Sequence, residues 1–120
     1  MAQHNLLGNK GELLAARYLL DKGYAVLHYN WRSGHKEIDI IAKEHNVLVF
    51  VEVKTRTSEQ YGAAFTAVDD KKIQRLLSAA ESYVKQNRID LEYRFDVVTV
   101  VGSGEHYSIE HIKDAFGATW

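Results

Sequence analysis

Two β-rich runs, residues 37–43 and 47–55, are separated only by Glu44-His45-Asn46. This spacing predicts a β-hairpin, which is the strongest constraint on the fold of this chain. Side chains alternate across a strand, so Glu37, Asp39 and Ile41 share one face and Ile38, Ile40 and Ala42 the other. In the second run Leu48, Phe50, Glu52 and Lys54 point together, against Val49, Val51 and Val53. Charge is thereby gathered on one side of a hairpin whose other side is aliphatic. A two-residue loop at His45-Asn46 pairs Glu44 with Val47, sets Asp39 opposite Glu52 and sets Glu37 opposite Lys54. A four-residue loop gives the same register, whereas a three-residue loop throws Glu52 to the wrong face.

Around this hairpin, residues 5–22 read as an amphipathic helix closed by Gly23. Residues 24–31 read as a strand, with a turn at Ser33-Gly34. After a loop over 57–66, Ile73, Leu76, Leu77, Ala80 and Val84 mark a second helix over 68–86. A strand is expected over 93–101, a turn at Gly102-Ser103-Gly104, a short strand over 106–109 and a helical turn over 112–116. The order α-β-β-β-α-β, with a short β and α at the C-terminus, predicts an α/β fold. Its centre would be a mixed β-sheet flanked by helices, with one parallel pairing. There is no proline in the 120 residues, and no linker-like stretch, so residues 1–120 read as a single domain.

In the even registers the Cβ atoms of Asp39 and Glu52 would lie about 4.5–5.5 Å apart. Two carboxylates so close need a cation between them. Mg2+, with one or two carboxylates completed by waters and phosphate oxygens, fits that role. Lys54 projects from the same face towards the same spot. On the first helix, at ~100° per residue, Ala15, Ala16 and Leu19 fall within about 60° of Glu12, so Glu12 lies on the inward side and needs a partner. Each of these signals alone also fits a solvated sheet face with cross-strand ion pairs. Their convergence on one region is what points to a metal site.

Several chemistries are excluded. Without cysteine, disulfides, thiolate zinc sites and cysteine nucleophiles are absent. The six histidines lack metal-ligand spacing and most are expected at the surface. A net charge of −1 speaks against a strong non-specific DNA binder, so a nucleic-acid surface must be a local patch or be completed by metal or a second subunit. No secretory signal opens the chain, and no run approaches the ~20 apolar residues of a membrane span. A cytoplasmic location is expected.

The segments GNKGELLAARYL, NWRSGHKEIDIIA, LVFVEVKTR, YGAAFTAVDDKKIQRLLSAAESYV and RFDVVTV together resemble the bacterial YraN family. That family is a restriction-endonuclease-like, PD-(D/E)xK group similar to archaeal Holliday junction resolvases. The resemblance runs from about Gly8 to Val101. It implies that Asp39 matches the motif's aspartate, Glu52 and Lys54 its E-x-K, and Glu12 the acid of the first helix. Glu37 matches the glutamate of the family's GEID-type segment, and Arg32, Arg56, Lys72, Arg94 and Asp96 fall at positions the pattern also marks. Ile38 stands where the motif has its proline, and Lys36 where the family has glycine. The implied activity is a metal-dependent endonuclease acting on branched or damaged DNA, with Glu12, Asp39, Glu52 and Lys54 catalytic. Mg2+, or Mn2+ in its place, would be held by Asp39, Glu52, the Val53 carbonyl and Glu12, the last directly or through water. Arg32, Glu37, Arg56, Lys71, Lys72 and Arg75 would face the substrate, with Arg56, Lys71, Lys72 and Arg75 on phosphates. The alternative is a non-catalytic nucleic-acid- or protein-binding module on the same scaffold. A homodimer, through a sheet edge at 93–101 or the outer face of the second helix, would supply two cuts related by two-fold symmetry.

Overall fold

The computed structural model describes residues 6–56, 70–103 and 106–116. In chain order these form α1 (Leu6–Asp21), β1 (Ala25–Ser33), β2 (Lys36–Glu44), β3 (Val47–Arg56), α2 (Asp70–Gln86), β4 (Glu92–Ser103) and β5 (His106–Phe116). The strands make one sheet in the order β1-β2-β3-β4-β5. All neighbours are antiparallel except β3 and β4. A parallel pair cannot be joined by a tight turn, so α2 serves as the crossover. The expected loop over 57–66 and the first two residues of the expected second helix lie outside the described residues.

The helices cover opposite faces. Ala15, Ala16 and Leu19 of α1 pack on Ile40, Ala42, Val49, Val51, Val98 and Val100. Ile73, Leu76, Ala79, Ala80 and Tyr83 of α2 pack on Ile41, Leu48, Phe50, Phe95 and Val97. The centres of β3 and β4 are buried on both sides, which explains their nearly continuous aliphatic sequence. Phe50 sits at the middle of the α2 layer, with ring centroids 5.8 Å from Tyr83 and 5.5 Å from Phe95. Truncating such a ring to alanine costs about 3–5 kcal/mol. The result is an α/β fold with a five-stranded mixed sheet between two helices, compatible with the restriction-endonuclease-like architecture.

Helix α1 ends as Gly23 requires. Gly23 has φ +94°, its N–H donates to the Leu20 carbonyl, and the Tyr24 N–H reaches back to the Leu19 carbonyl, both at 3.0 Å. This paired closure is a Schellman motif. The hairpin register is the expected one, with Glu44 opposite Val47 around His45-Asn46 and in-step pairing to Ile40 opposite Val51.

The C-terminus departs from expectation. Residues 112–116 are not a helical turn but the continuation of β5, with Ile112 opposite Val97 and Phe116 opposite Phe95. Phe116 stacks on Phe95 at 5.1 Å, and that burial outweighs a single turn's local helical preference. Gly102 and Ser103 belong to β4, since Ser103 pairs with His106; Gly104, the rest of the expected turn, lies outside the described residues. Strand β4 is also interior to the sheet, so it offers no free edge for a dimer; β1 and β5 are the edges. Among the described residues no helix is long and apolar enough to cross a membrane.

Candidate functional site

The hairpin opens where the acids begin. Its ladder stops at Ile40 opposite Val51, so Asp39 and Glu52 are not joined as a backbone pair, and Glu37 does not face Lys54. Instead the Val53 N–H donates to Asp39 Oδ2 at 2.9 Å. Glu37 lies opposite Arg32 on β1 and pairs with it at 3.4 Å on the surface. Alternation breaks at the same level. Ile38 packs in the α2 layer with Ile41 rather than with Ile40, beside Trp31. On β1, Asn30, just before Trp31, adopts φ +50°. The β2–β3 ladder ends at this same level.

Glu52 is only 4% exposed and is met by two ammonium groups. Lys54 Nζ lies at 3.3 Å and Lys72 Nζ at 2.8 Å from its Oε2. Lys54 comes from the same strand, two residues on. Lys72 comes from the first turn of α2. Burial pushes the Asp39 carboxyl up to about 7, and repulsion from Glu52 adds to this while the Val53 N–H opposes it. Burial of the Lys72 ammonium alone would lower its pKa, but the hydrogen bond and charge of Glu52, with Asp39 and Glu37 nearby, raise it on balance.

Glu12 approaches from the other layer. A Cβ on the preceding Gly11 would collide with Thr55 Oγ1 of β3, so α1 sits close against the end of the hairpin there and a larger residue would force the Thr55 side chain to move. Burial raises the Glu12 pKa, a hydrogen bond from Asn30 works against it, and the charges of Glu37 and Glu52 raise it further. Glu12 thus shares a field with the two hairpin acids, although it opens onto a separate shallow groove beside Leu13, Tyr29 and Asn30.

A cleft of about 310 Å3 lies between β2 and α2, and Glu37, Asp39, Glu52, Lys72, Arg75 and His35 line it. Of the residues expected to face substrate, Glu37, Lys72 and Arg75 are therefore gathered there. Arg56 turns its guanidinium back onto the Thr55 carbonyl at 2.9 Å, and neither it nor Lys71 lines the cleft.

Among the described residues no three histidine or carboxylate side chains stand close enough together to hold a metal ion. The carboxylates that could hold a metal are then the pair Asp39 and Glu52, which line one cleft, with Glu12 close enough for its charge to act on Asp39. Two hard oxygen donors with open positions suit Mg2+, which keeps waters and takes phosphate oxygens. Because the Val53 N–H points to β2, its carbonyl leaves the strand on that side as well.

The family pattern marks Arg94 and Asp96, but sequence spacing alone does not join them into the buried polar cluster they form. Asp96, fully buried on the α1 face, bonds His111 Nε2 at 2.7 Å and accepts from Arg94 Nε and the Asp114 N–H, each at 3.0 Å. Burial alone would raise the Asp96 pKa, but His111, Arg94 and the Asp114 N–H together hold it below the usual carboxylate range. Arg94 also donates to Tyr24 Oη at 2.8 Å and to Glu44 at 2.9 Å, while Tyr18 Oη lies 3.2 Å from His111 Nδ1. His111 is thus a buried partner rather than a surface histidine. Every buried side-chain polar atom among the described residues has a partner. The available signal was an acid inside the apolar run at 95–98.

A family model described as "Uncharacterised protein family UPF0102" matches residues 11–100. A UPF0102 protein of Phocaeicola vulgatus is 47% identical over 116 residues, covering 97% of this chain and 96% of its own length. One from Bacteroides thetaiotaomicron is 48% identical with the same coverage of 97% and 96%. One from Flavobacterium psychrophilum is 47% identical, covering 97% and 98%. The chain belongs to the UPF0102 family, the YraN family that its sequence resembles.

Proposed function

We propose that the protein is a metal-dependent endonuclease that hydrolyses phosphodiester bonds in branched or damaged DNA. The observation that carries this reading is the Asp39–Glu52 pair on the floor of a cleft, with Lys54 and Lys72 on Glu52. Asp39 and Glu52 would hold Mg2+, or Mn2+ in its place, with the Val53 carbonyl as a further donor and Glu12 acting through water. The bound ion would supply an activated water and a counter-charge to the scissile phosphate. Glu52 fixes the Lys54 ammonium, which then stands ready to orient that water or neutralise the phosphoryl oxygens. Arg75 and Lys72 offer phosphate contacts along the cleft wall, which position a strand without reading its sequence.

The test is cleavage of a panel of branched, nicked and single-stranded DNAs with Mg2+ and Mn2+. Metal-dependent cutting of at least one substrate is expected. The net charge of −1 favours a second reading, a non-catalytic binding module on this scaffold. Binding without cleavage across the panel, with no metal uptake by calorimetry, selects that reading instead.

A further inference from the structure

Lys54 and Lys72 both contact Glu52 Oε2, but they are not equivalent. Lys54 is two residues from Glu52 on the same strand, and its side chain is 11% exposed. Strand geometry and packing keep it there. Lys72 belongs to a different element, makes the shorter contact at 2.8 Å and is 41% exposed at the wall of the cleft. A four-carbon stem on the first turn of a helix has rotamers that carry its ammonium towards the cleft opening, where Arg75 already presents a cation.

The position of the Lys72 ammonium also matters. It sits on the more buried of two carboxylates that repel one another, which is where a divalent cation would gain most. An ammonium and a divalent ion held side by side on one carboxylate repel each other, so the ion binds Glu52 more weakly while Lys72 stays in place.

We propose that Lys72 is an exchangeable counter-ion: it neutralises Glu52 in the metal-free protein, yields that carboxylate to an incoming divalent cation, and swings to a substrate phosphate in the cleft. This deepens the metal-site reading above and rests on it. The consequence is a linkage in which metal loading and nucleic-acid binding reinforce each other through one side chain. Without metal, Lys72 is held by Glu52 and contributes little to phosphate binding. With metal it is released.

The test compares the full-length wild type with Lys72→Met, which keeps the stem and removes the charge, and Lys72→Gln, which keeps a hydrogen-bond donor. Circular dichroism first checks that each variant folds, as expected for a side chain at the cleft wall. Mn2+ alone is titrated by calorimetry. Both variants are expected to bind it about tenfold more tightly than wild type, since a competitor and a repulsive neighbour are both removed. Fluorescence anisotropy then measures the affinity for a labelled single-stranded DNA with and without Ca2+. The gain on adding Ca2+ should be several-fold larger in wild type than in either variant. Equal or weaker Mn2+ binding by the variants overturns the role of Lys72 while leaving the metal site standing. An equal Ca2+ gain in wild type and variants overturns the swing to phosphate. If neither wild type nor variant takes up Mn2+, the metal-site reading fails and this inference fails with it.

Discussion

Replacing Asp39 by asparagine should stabilise the metal-free protein at pH 8 by about 2 kcal/mol, against the usual direction for a buried polar substitution. The magnitude follows from the carboxyl's surroundings. Burial and Glu52 lift its pKa from 3.8 to about 7, about three units, and each unit is worth about 1.4 kcal/mol between protonation states. That gives an upper bound of about 4 kcal/mol, and the opening of the cleft to water reduces it by about half. Asparagine removes the charge but keeps an oxygen to accept the Val53 N–H. For 120 residues the unfolding entropy near 60 °C is about 0.25 kcal/mol/K, so 2 kcal/mol corresponds to about 8 °C in Tm.

The pH dependence carries a definite sign. An acid whose folded pKa is raised holds its proton more tightly when folded, so the contribution of Asp39 to wild-type stability is most favourable below pH 3.8 and declines as pH rises through 3.8 to about 7. The variant lacks this decline. Its advantage should therefore be small near pH 4, grow up to pH 7 and stay level above it. Urea unfolding in EDTA, followed by circular dichroism at pH 5, 6, 7 and 8, measures the difference directly. A variant less stable than wild type at pH 8, or an advantage that does not change with pH, refutes the claim that Asp39 is held as a frustrated charge.

Asp39→Ala and Glu52→Ala should each abolish metal-dependent cleavage while leaving the far-ultraviolet spectrum unchanged; wild-type rates in either remove that residue from the site. Lys54→Ala should slow single-turnover cleavage far more than it weakens Mn2+ binding, because an ammonium serves water or phosphate rather than the ion. Weakened Mn2+ binding with an unchanged rate would reverse that assignment. Asp96→Ala should cost about 3 kcal/mol in urea unfolding, since it leaves Arg94 and His111 without their buried carboxylate. A loss below about 1 kcal/mol would mean that the cluster is redundant for folding.

Local patterns made most of the fold legible. Strand alternation and a two-residue loop specify the hairpin register without reference to the rest of the chain, and Glu44 opposite Val47 follows from them. Helical spacing finds both helices, because each buries one stripe against the sheet. The continuation of the C-terminal strand beyond the expected 106–109 is different. Its residues pair with β4 across a register shift between Phe95 and Val97, and Asp114, at φ +52°, lends its N–H to Asp96. Nothing within residues 112–116 encodes that partner. A strand held by distant stacking and by a hydrogen bond to another strand's side chain is invisible to a short window of sequence.

The two acidic sites show the same division. Asp39, Glu52 and Lys54 lie on one hairpin, so period-two alternation is enough to gather them, and the 3.6-residue period of α1 turns Glu12 inward. What alternation misses is that the hairpin ladder ends at Ile40 opposite Val51, so that Asp39 does not face Glu52 across a continuous ladder. Lys72 could be named as a cation but not assigned to Glu52, because its position depends on how the crossover helix lands on the sheet. Asp96 and His111 are fifteen residues apart on neighbouring strands, and their pairing depends on β4 being interior rather than an edge. The distinction has chemical content. Asp96 is fully buried and every partner it has is already engaged, so it holds α1, β4 and β5 together. Asp39 is left with a raised pKa beside a cleft, and a carboxylate under that strain next to open space is the setting that the proposed metal site requires.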